Sequence, residues 1–547
     1  MEFQSKLLSS LEKVFFTLPE AEEFTSATML KNEIYSFQWA MWVVDKLMQR
    51  KHCRLEIESE LAPYIQVRRV DYVPSILPAI VSWTDDDYIT KTPGMFPDPL
   101  KKLRDGCKFE LASDQARSLW FTVEPKGEMV GTYPIKLRVY TDKDELIEEK
   151  CFTLEILDVA LPALPICATN WFHGDCIAKL HNVEVMSEEY FALVEKYIAQ
   201  YTRFGHNMIL TPIFTPPLDT AIGGERPTNQ LVAVTQEKGV YSFDFTLLKR
   251  WISLCHSYGI RYFEISHLFT QWGAKHAPKI MATVDGEYKK IFGWETEALG
   301  EEYRAFLDAF LPELVSFLKA EGIMDDCFFH VSDEPHEPDE EQYRSVQALL
   351  LPYIPRHQLL DALSSYSFYE KDIVQNPVVS SNNMHTFMDH GVKDLWTYYC
   401  VGQRTDVSNR FMALPSYRNR ILGAQLYKYQ VRGFLHWGFN FWFTQYSTAV
   451  LNPYVDTSAG GAFTSGDSFV TYPVDEDGDV VLSFRLHVFN EGLQDLRALY
   501  LLESLTDRET VLSLLEELDG FEKYPRNSQY LLTLRHKINE MIKTHSK

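Results

Sequence analysis

Residues 327–335 read CFFHVSDEP, and this stretch decides how the chain is folded. An apolar run of strand length leads into two adjacent acids, Asp333 and Glu334, and Pro335 then ends any pairing. Two carboxylates at the mouth of a buried strand are costly unless they are solvated, paired or used. The same kind of run begins near Ile166, Asn207, Arg261, Leu359, Val378, Asp394 and Gly433, making eight candidate strands with Cys327. Helical periodicity fills the gaps, most clearly at 187–204, 246–258, 301–321, 339–351 and 417–431. Eight strand–helix units predict a (β/α)8 TIM barrel, a fold whose catalytic residues stand just past the C-terminal ends of its strands.

Working outward from that core, residues 1–160 are predicted to form an N-terminal β-sandwich domain. Short alternating runs recur there, among them CRLEI (53–57), IQVRRV (65–70), SLWFTV (118–123), TYPIKLRVY (132–140) and EKCFTLEI (149–156). TPGMFPDPL (92–100) and PKGEMVGTYP (125–134) read as turn material between them, and LPALP (161–165) as a short linker. The barrel is assigned to 161–455. The remainder, 456–547, opens with a Gly- and Asp-rich stretch read as a surface loop or small β element. It continues as helices packing on the barrel, with Leu493, Leu496, Leu499, Leu502 and Leu505 on an apolar stripe.

Composition narrows the function. The formal net charge of −23 repels a phosphate backbone or an anionic membrane surface, so neither is an expected partner. Aromatic residues reach 14%, which suits a core of rings and also the C–H faces of sugars. The eight cysteines form no C-x-x-C pair and several sit in apolar runs, as thiols of a reducing compartment would. No metal motif and no nucleotide-binding glycine loop is present, so no metal and no cofactor are expected; GGER (223–226) is a weak phosphate cradle. MEFQSKLLSSLEKVFF lacks a signal-peptide core and no apolar run reaches membrane length, so a cytoplasmic location is expected.

With 76 acidic residues, acidic dipeptides arise by chance, as Asp86–Asp87 and Asp325–Asp326 show; strand-end placement is what distinguishes Asp333–Glu334. Consecutive acids are too close for separate tasks on opposite sides of a sugar ring. They suit the substrate-assisted form of glycoside hydrolysis, in which the substrate's own 2-acetamido oxygen attacks the anomeric carbon. One carboxylate then steadies the acetamido group and the other exchanges protons with the leaving oxygen and water. Further strand-end candidates for sugar contact are His173 and Asp175 after the first strand, and His267 and Trp272 after the third. His330 inside the fourth strand reads as a core histidine.

Seven segments resemble glycoside hydrolase family 123, the retaining β-N-acetylgalactosaminidases and their uncharacterised relatives. They are PGMFPDPL (93–100), WFHGDCIA (171–178), SDEP (332–335), LWTYYC (395–400), FLHWGFNFW (434–442), GDSFVTYP (466–473) and SFRLHVFNEGLQD (483–495), in the family's order. The resemblance implies Asp333 as the acetamido-orienting residue and Glu334 as general acid/base. It implies Tyr398 as a hydrogen-bond donor to the acetamido oxygen, Trp437 and Asn440 as pocket wall, and Asp467, Tyr472 and Arg485 on a substrate-side loop. The chain departs from the family at Ser468 and Val474, where glycines are usual. The expected function is removal of β-linked N-acetylgalactosamine from a glycan. The alternatives are a glycosidase of the same fold acting on another sugar such as β-GlcNAc, and a non-catalytic carbohydrate-binding protein.

Overall fold

The computed structural model describes residues 2–44, 50–103, 107–127 and 129–546. The eight apolar runs form one parallel sheet: β1 (Cys167–Asn170), β2 (Met208–Thr211), β3 (Tyr262–Ile265), β4 (Cys327–Phe329), β5 (Asp361–Leu363), β6 (Pro377–Ser380), β7 (Trp396–Tyr398) and β8 (Gly433–His436). The order across the sheet is β4-β3-β2-β1-β8-β7-β6-β5. β4 and β5, the first and last of that order, meet at the parallel bridge Phe329–Leu359, where Leu360 N donates to Phe329 O at 3.0 Å. Helices follow the strands, the longest being Glu188–Arg203, Thr246–Ser257 and Glu301–Ala320. β1, β2, β5, β6, β7 and β8 are buried along their whole length, which explains why they read as continuous apolar runs and not as alternating ones.

The N-terminal region is sheet-rich. A five-stranded and a seven-stranded sheet enclose a shared core, in which Phe37 stacks on Phe121 and Phe152 with ring centroids 4.8 and 4.1 Å apart. One stretch departs from the reading of the sequence, and in another the structure decides between the two forms expected. TPGMFPDPL is not a turn; Gly94–Lys102 is a strand, and its pairing with Ile65–Ser75 shifts register between Val70 and Tyr72, close to Pro97. Such a bulge is where a sheet tolerates proline. The Gly- and Asp-rich stretch takes the second of its two expected forms, a small β element, and not that of a surface loop. Thr457, Ser458, Thr464, Ser465, Asp467 and Ser468 are buried, and the hairpin Thr471–Val474/Val480–Ser483 extends the N-terminal seven-stranded sheet through Leu482–Leu100 pairing. The acidic DEDGD is the hairpin turn: Asp475 accepts from the backbone N–H groups of Asp477 and Asp479, and Gly478 takes the left-handed φ of +78°.

The C-terminal region is helical, with helices Phe484–Leu505, Arg508–Ser513 and Ser528–His545. The first crosses the helix Leu422–Lys428 so closely that a Cβ on Gly423 would fall 1.8 Å from Gly492 O. Arg420 pairs with Glu491 and Asp495, and Arg535 with Asp495 and Glu33, so one buried ionic cluster joins the parallel sheet's helices, the C-terminal helices and the N-terminal sheet. No helix is long and apolar enough to cross a membrane among the described residues.

Candidate functional site

At the C-terminal ends of the parallel strands lies a pocket of about 140 Å³. Its polar lining is His173, Asp219, Gln271, Asp333, Glu334 and Tyr398; its apolar walls include Trp171, Trp272, Trp437, Phe441 and Phe463. All of these but Tyr398, the last residue of β7, come from segments that follow a strand, because the strands themselves are filled with core side chains.

Asp333 and Glu334 sit four and five residues beyond β4. Glu334 has φ +45°, a conformation that costs a non-glycine residue energy and recurs at functional sites. Its Oε1 accepts a hydrogen bond of 2.6 Å from the Tyr398 hydroxyl at the end of β7. Burial, and next the charge of Glu334, push the Tyr398 phenol far above its usual range, so it remains a donor. The Asp333 carboxyl is likewise pushed well up, first by burial and second by Glu334, while the charge of His330 pulls it back down. The two neighbouring acids therefore resist being charged together, and the pair retains a proton where isolated carboxyls would have lost it.

Beneath them is a buried ionic array. His330 Nε2 lies 2.5 Å from Glu264 Oε1 and its Nδ1 3.2 Å from Asp361 Oδ1. Both ring nitrogens face carboxylates, so both donate and the ring is an imidazolium. Although burial opposes the charge, Asp361 and Glu264 raise the His330 pKa from 6.5 to about 10. Its stabilising contribution is complete below about 6.5 and is lost as the pH rises through about 10. Glu264 also accepts from Trp171 Nε1 and Thr169 Oγ1, both at 2.7 Å, and Asp361 from Ser332 N at 3.3 Å and from the Tyr343 hydroxyl. The array thus holds a pocket tryptophan at one end and, at the other, the backbone residue that precedes Asp333.

The strand-end candidates divide. His173 and Trp272 line the pocket. The His173 Nε2–H donates to Trp437 O at 2.9 Å, so its Nδ1 is the acceptor facing Arg226 Nη2 at 3.2 Å. Burial, and then Arg226, hold it neutral, with the pKa down to about 3. Asp175 does not reach the pocket. It forms a buried two-pronged pair with Arg226, at 2.8 Å to Nε and 2.7 Å to Nη2. Arg226 in turn lies over the rings of Phe441 and Phe443, so Asp175 supports the wall from behind. His267 is also behind the wall, stacked on His330 at 4.3 Å with both ring nitrogens unpartnered.

Of the family-derived residues, Tyr398 and Trp437 line the pocket. Asn440 instead spends its amide on the backbone of His173, accepting from N at 2.8 Å and donating to O at 2.9 Å. Asp467 sits behind Trp437 and accepts from its indole N–H at 2.9 Å; burial raises its pKa to about 7. Tyr472 and Arg485 converge on Asp98, the tyrosine at 2.5 Å and the guanidinium at 2.6 and 3.0 Å. Arg485 also donates to Gly466 O and Phe469 O. Three separated motifs therefore meet in one buried cluster that fixes the path of 466–473, away from the pocket. Ser468 and Val474 have no positive φ, so the backbone accepts a side chain at both.

Reading the sequence missed Asp219, Arg226, Gln271, Glu264 and Asp361. The last two carried a signal, as single acids within the apolar strands YFEI and DAL. Asp219 lies in the segment after β2, and burial raises its pKa to about 6. Among the described residues no group of three His, Cys, Asp or Glu side chains is placed to hold a metal ion.

Residues 171–502 match the family model described as glycoside hydrolase 123, catalytic domain. Among solved structures, a family 123 glycoside hydrolase from Clostridium perfringens, studied for glycolipid glycan hydrolysis, superposes with a TM-score of 0.73. It is 16% identical, covering 100% of this chain and 98% of that one. A β-glucuronidase from Parabacteroides merdae matches with a TM-score of 0.28 at 10% identity, over 91% of this chain and 52% of its own. No curated protein matches the sequence.

Proposed function

The chain belongs to glycoside hydrolase family 123, a glycoside hydrolase with a glycan as substrate, and from that premise we propose that it is a retaining exo-β-N-acetylhexosaminidase using the substrate's acetamido group, with N-acetylgalactosamine the preferred sugar. The observation that carries this reading is the placement of two consecutive acids in one aromatic-walled pocket, with a tyrosine hydroxyl on the second. In the first step the Glu334 carboxyl gives its proton to the leaving oxygen as the acetamido oxygen bonds to the anomeric carbon and the glycosidic C–O bond breaks. Asp333 receives the acetamido N–H and balances the positive charge of the oxazolinium. In the second step Glu334 takes a proton from water as its oxygen attacks the same carbon from the vacated face and the bond from that carbon to the acetamido oxygen breaks, restoring the acetamido group, so the configuration is retained. The Trp437 face, steadied by Asp467, is the wall against which the sugar ring packs. The parallel sheet is read as a (β/α)8 barrel closed at the Phe329–Leu359 bridge, and the two N-terminal sheets as a sandwich. The units are 1–160 and 161–455, with 456–547 bound to both.

Aryl β-glycosides of N-acetylgalactosamine, N-acetylglucosamine and galactose test the mechanism. Turnover should require the 2-acetamido group, and a thiazoline mimic of the oxazoline should inhibit competitively. Comparable turnover of the 2-hydroxy glycoside would sink the assisted mechanism.

A second reading rests on Asp219, a third carboxyl in the same pocket with its pKa raised to about 6. It could pair with Glu334 in a two-carboxylate scheme. Under the assisted mechanism, Asp219→Asn should lower kcat less than about tenfold, whereas loss of a true acid or base costs about 10²–10⁴-fold. Steady-state kinetics of this variant decide between the two.

A further inference from the structure

The segment 76–89 leaves the N-terminal sheet and is pinned beside the pocket. Ser465 N donates to Leu77 O and Ile89 N to Ala413 O, both at 2.9 Å, and Arg418 Nη1 meets Asp85 Oδ2 at 2.6 Å. So held, it exposes large apolar side chains that a surface segment has no folding reason to carry: Ile76 is 57%, Val81 70% and Trp83 63% exposed. Gly461, two residues before the pocket residue Phe463, lies against Ile76.

Arg404 stands three residues beyond Val401, another pocket residue, and places its guanidinium 5.0 Å from the centre of the Trp83 ring. Tyr88 donates to its carbonyl at 2.9 Å, which ties it to the same segment. Arg404 is not among the ion pairs of the described residues, and its Nε is buried without a hydrogen-bond partner. Its charge reaches the buried Asp467, whose pKa it lowers, but among the described residues no carboxylate stands within ion-pair distance of it, so in a chain with 76 acidic and 53 basic residues its guanidinium is left open to a ligand. A guanidinium recognises planar or tetrahedral oxyanions, and an indole face packs on the C–H face of a sugar.

We propose that Trp83 and Arg404 form an outer subsite that receives the leaving-group side of the glycan, and that the sugar it selects carries a carboxylate or sulfate. This rests on the reading of the pocket as a glycosidase site. The test compares kcat/KM for disaccharides sharing one non-reducing β-N-acetylhexosamine, with a neutral hexose, a hexuronic acid or a sulfated hexose as leaving sugar. The wild type should prefer an anionic disaccharide by about tenfold or more, through KM, as a charge-assisted contact supplies. Arg404→Gln should remove that preference, and Trp83→Ala should weaken all three disaccharides together. A preference for uronate alone or sulfate alone identifies which oxyanion is taken. Equal kcat/KM for charged and neutral disaccharides in the wild type, or a preference that survives Arg404→Gln, overturns the proposal. Failure of the wild type to cleave any aryl N-acetylhexosaminide would instead overturn the reading of Asp333 and Glu334. The subsite is then judged by calorimetric titration of the hexuronic disaccharide, where equal affinity for the wild type and Arg404→Gln, or no binding to either, refutes it.

Discussion

Glu334→Gln is expected to lower turnover of a β-N-acetylhexosaminyl disaccharide by about 10²–10⁴-fold, the usual worth of a positioned acid/base group. The amide keeps the length of the side chain and can still accept from the Tyr398 hydroxyl, which lies 2.6 Å from Oε1 in the wild type. Its backbone, at φ +45°, is as strained for Gln as for Glu, so the melting temperature should hardly move. What disappears is the proton. A sugar leaving group needs that proton and should suffer the full loss in the first step. A nitrophenolate leaves without it, so with aryl substrates the first step should survive and the second, attack by water without a base, should limit. Burst kinetics with a nitrophenyl glycoside, together with slow steady turnover, are the expected signature. Asp333→Asn should differ: it removes the negative charge facing the oxazolinium, and both leaving groups should lose rate alike. If Glu334→Gln keeps activity within tenfold on the disaccharide, the residue is not the acid/base.

The strands of the parallel sheet were legible because nearly every residue in them is buried. Once β1 to β8 must lie inside a parallel sheet, each has to read as an apolar run, and the run locates the strand end where chemistry can stand. Asp333, Glu334, His173, Trp272, Tyr398 and Trp437 were found in this way or through the family motifs, and all six line the pocket. Edge and bulged strands obey weaker rules. Gly94–Lys102 carries two prolines and a glycine yet pairs on both sides, because a register shift and a late partner from 480–483 accommodate it. A partner almost four hundred residues away leaves no trace in local sequence. Nor does sequence separate a polar side chain that faces substrate from one that faces another side chain. Asp175, Asn440, Tyr472 and Arg485 belong to motifs as marked as SDEP, yet their hydrogen-bonding capacity is spent inside the protein on Arg226, the His173 backbone and Asp98. Motif strength reports that a residue is constrained; the partner in space decides whether the constraint is chemical or architectural.

The ionic array below the acids shows both kinds of constraint acting together, and His330→Gln should expose them in one variant. Glutamine can bridge one of the two carboxylates but brings no charge. Glu264 and Asp361 would then lie buried without their shared cation, a loss of about 3–5 kcal/mol for breaking a buried ionic group. The wild-type contribution is complete below about 6.5 and fades as the pH rises toward 10, where His330 loses its proton. The difference in melting temperature between wild type and variant should therefore narrow from pH 7 to pH 10. Activity carries the second signal. The His330 charge lowers the Asp333 pKa, so its removal must raise it. If Asp333 has to be ionised to balance the oxazolinium, the acid limb of the kcat/KM profile should move to higher pH. A purely structural histidine would lower stability and leave the profile where it was. A displaced profile in a variant still folded at the assay temperature ties the array to the protonation state of Asp333, whereas an unmoved profile confines His330 to holding Trp171 and Ser332 in place.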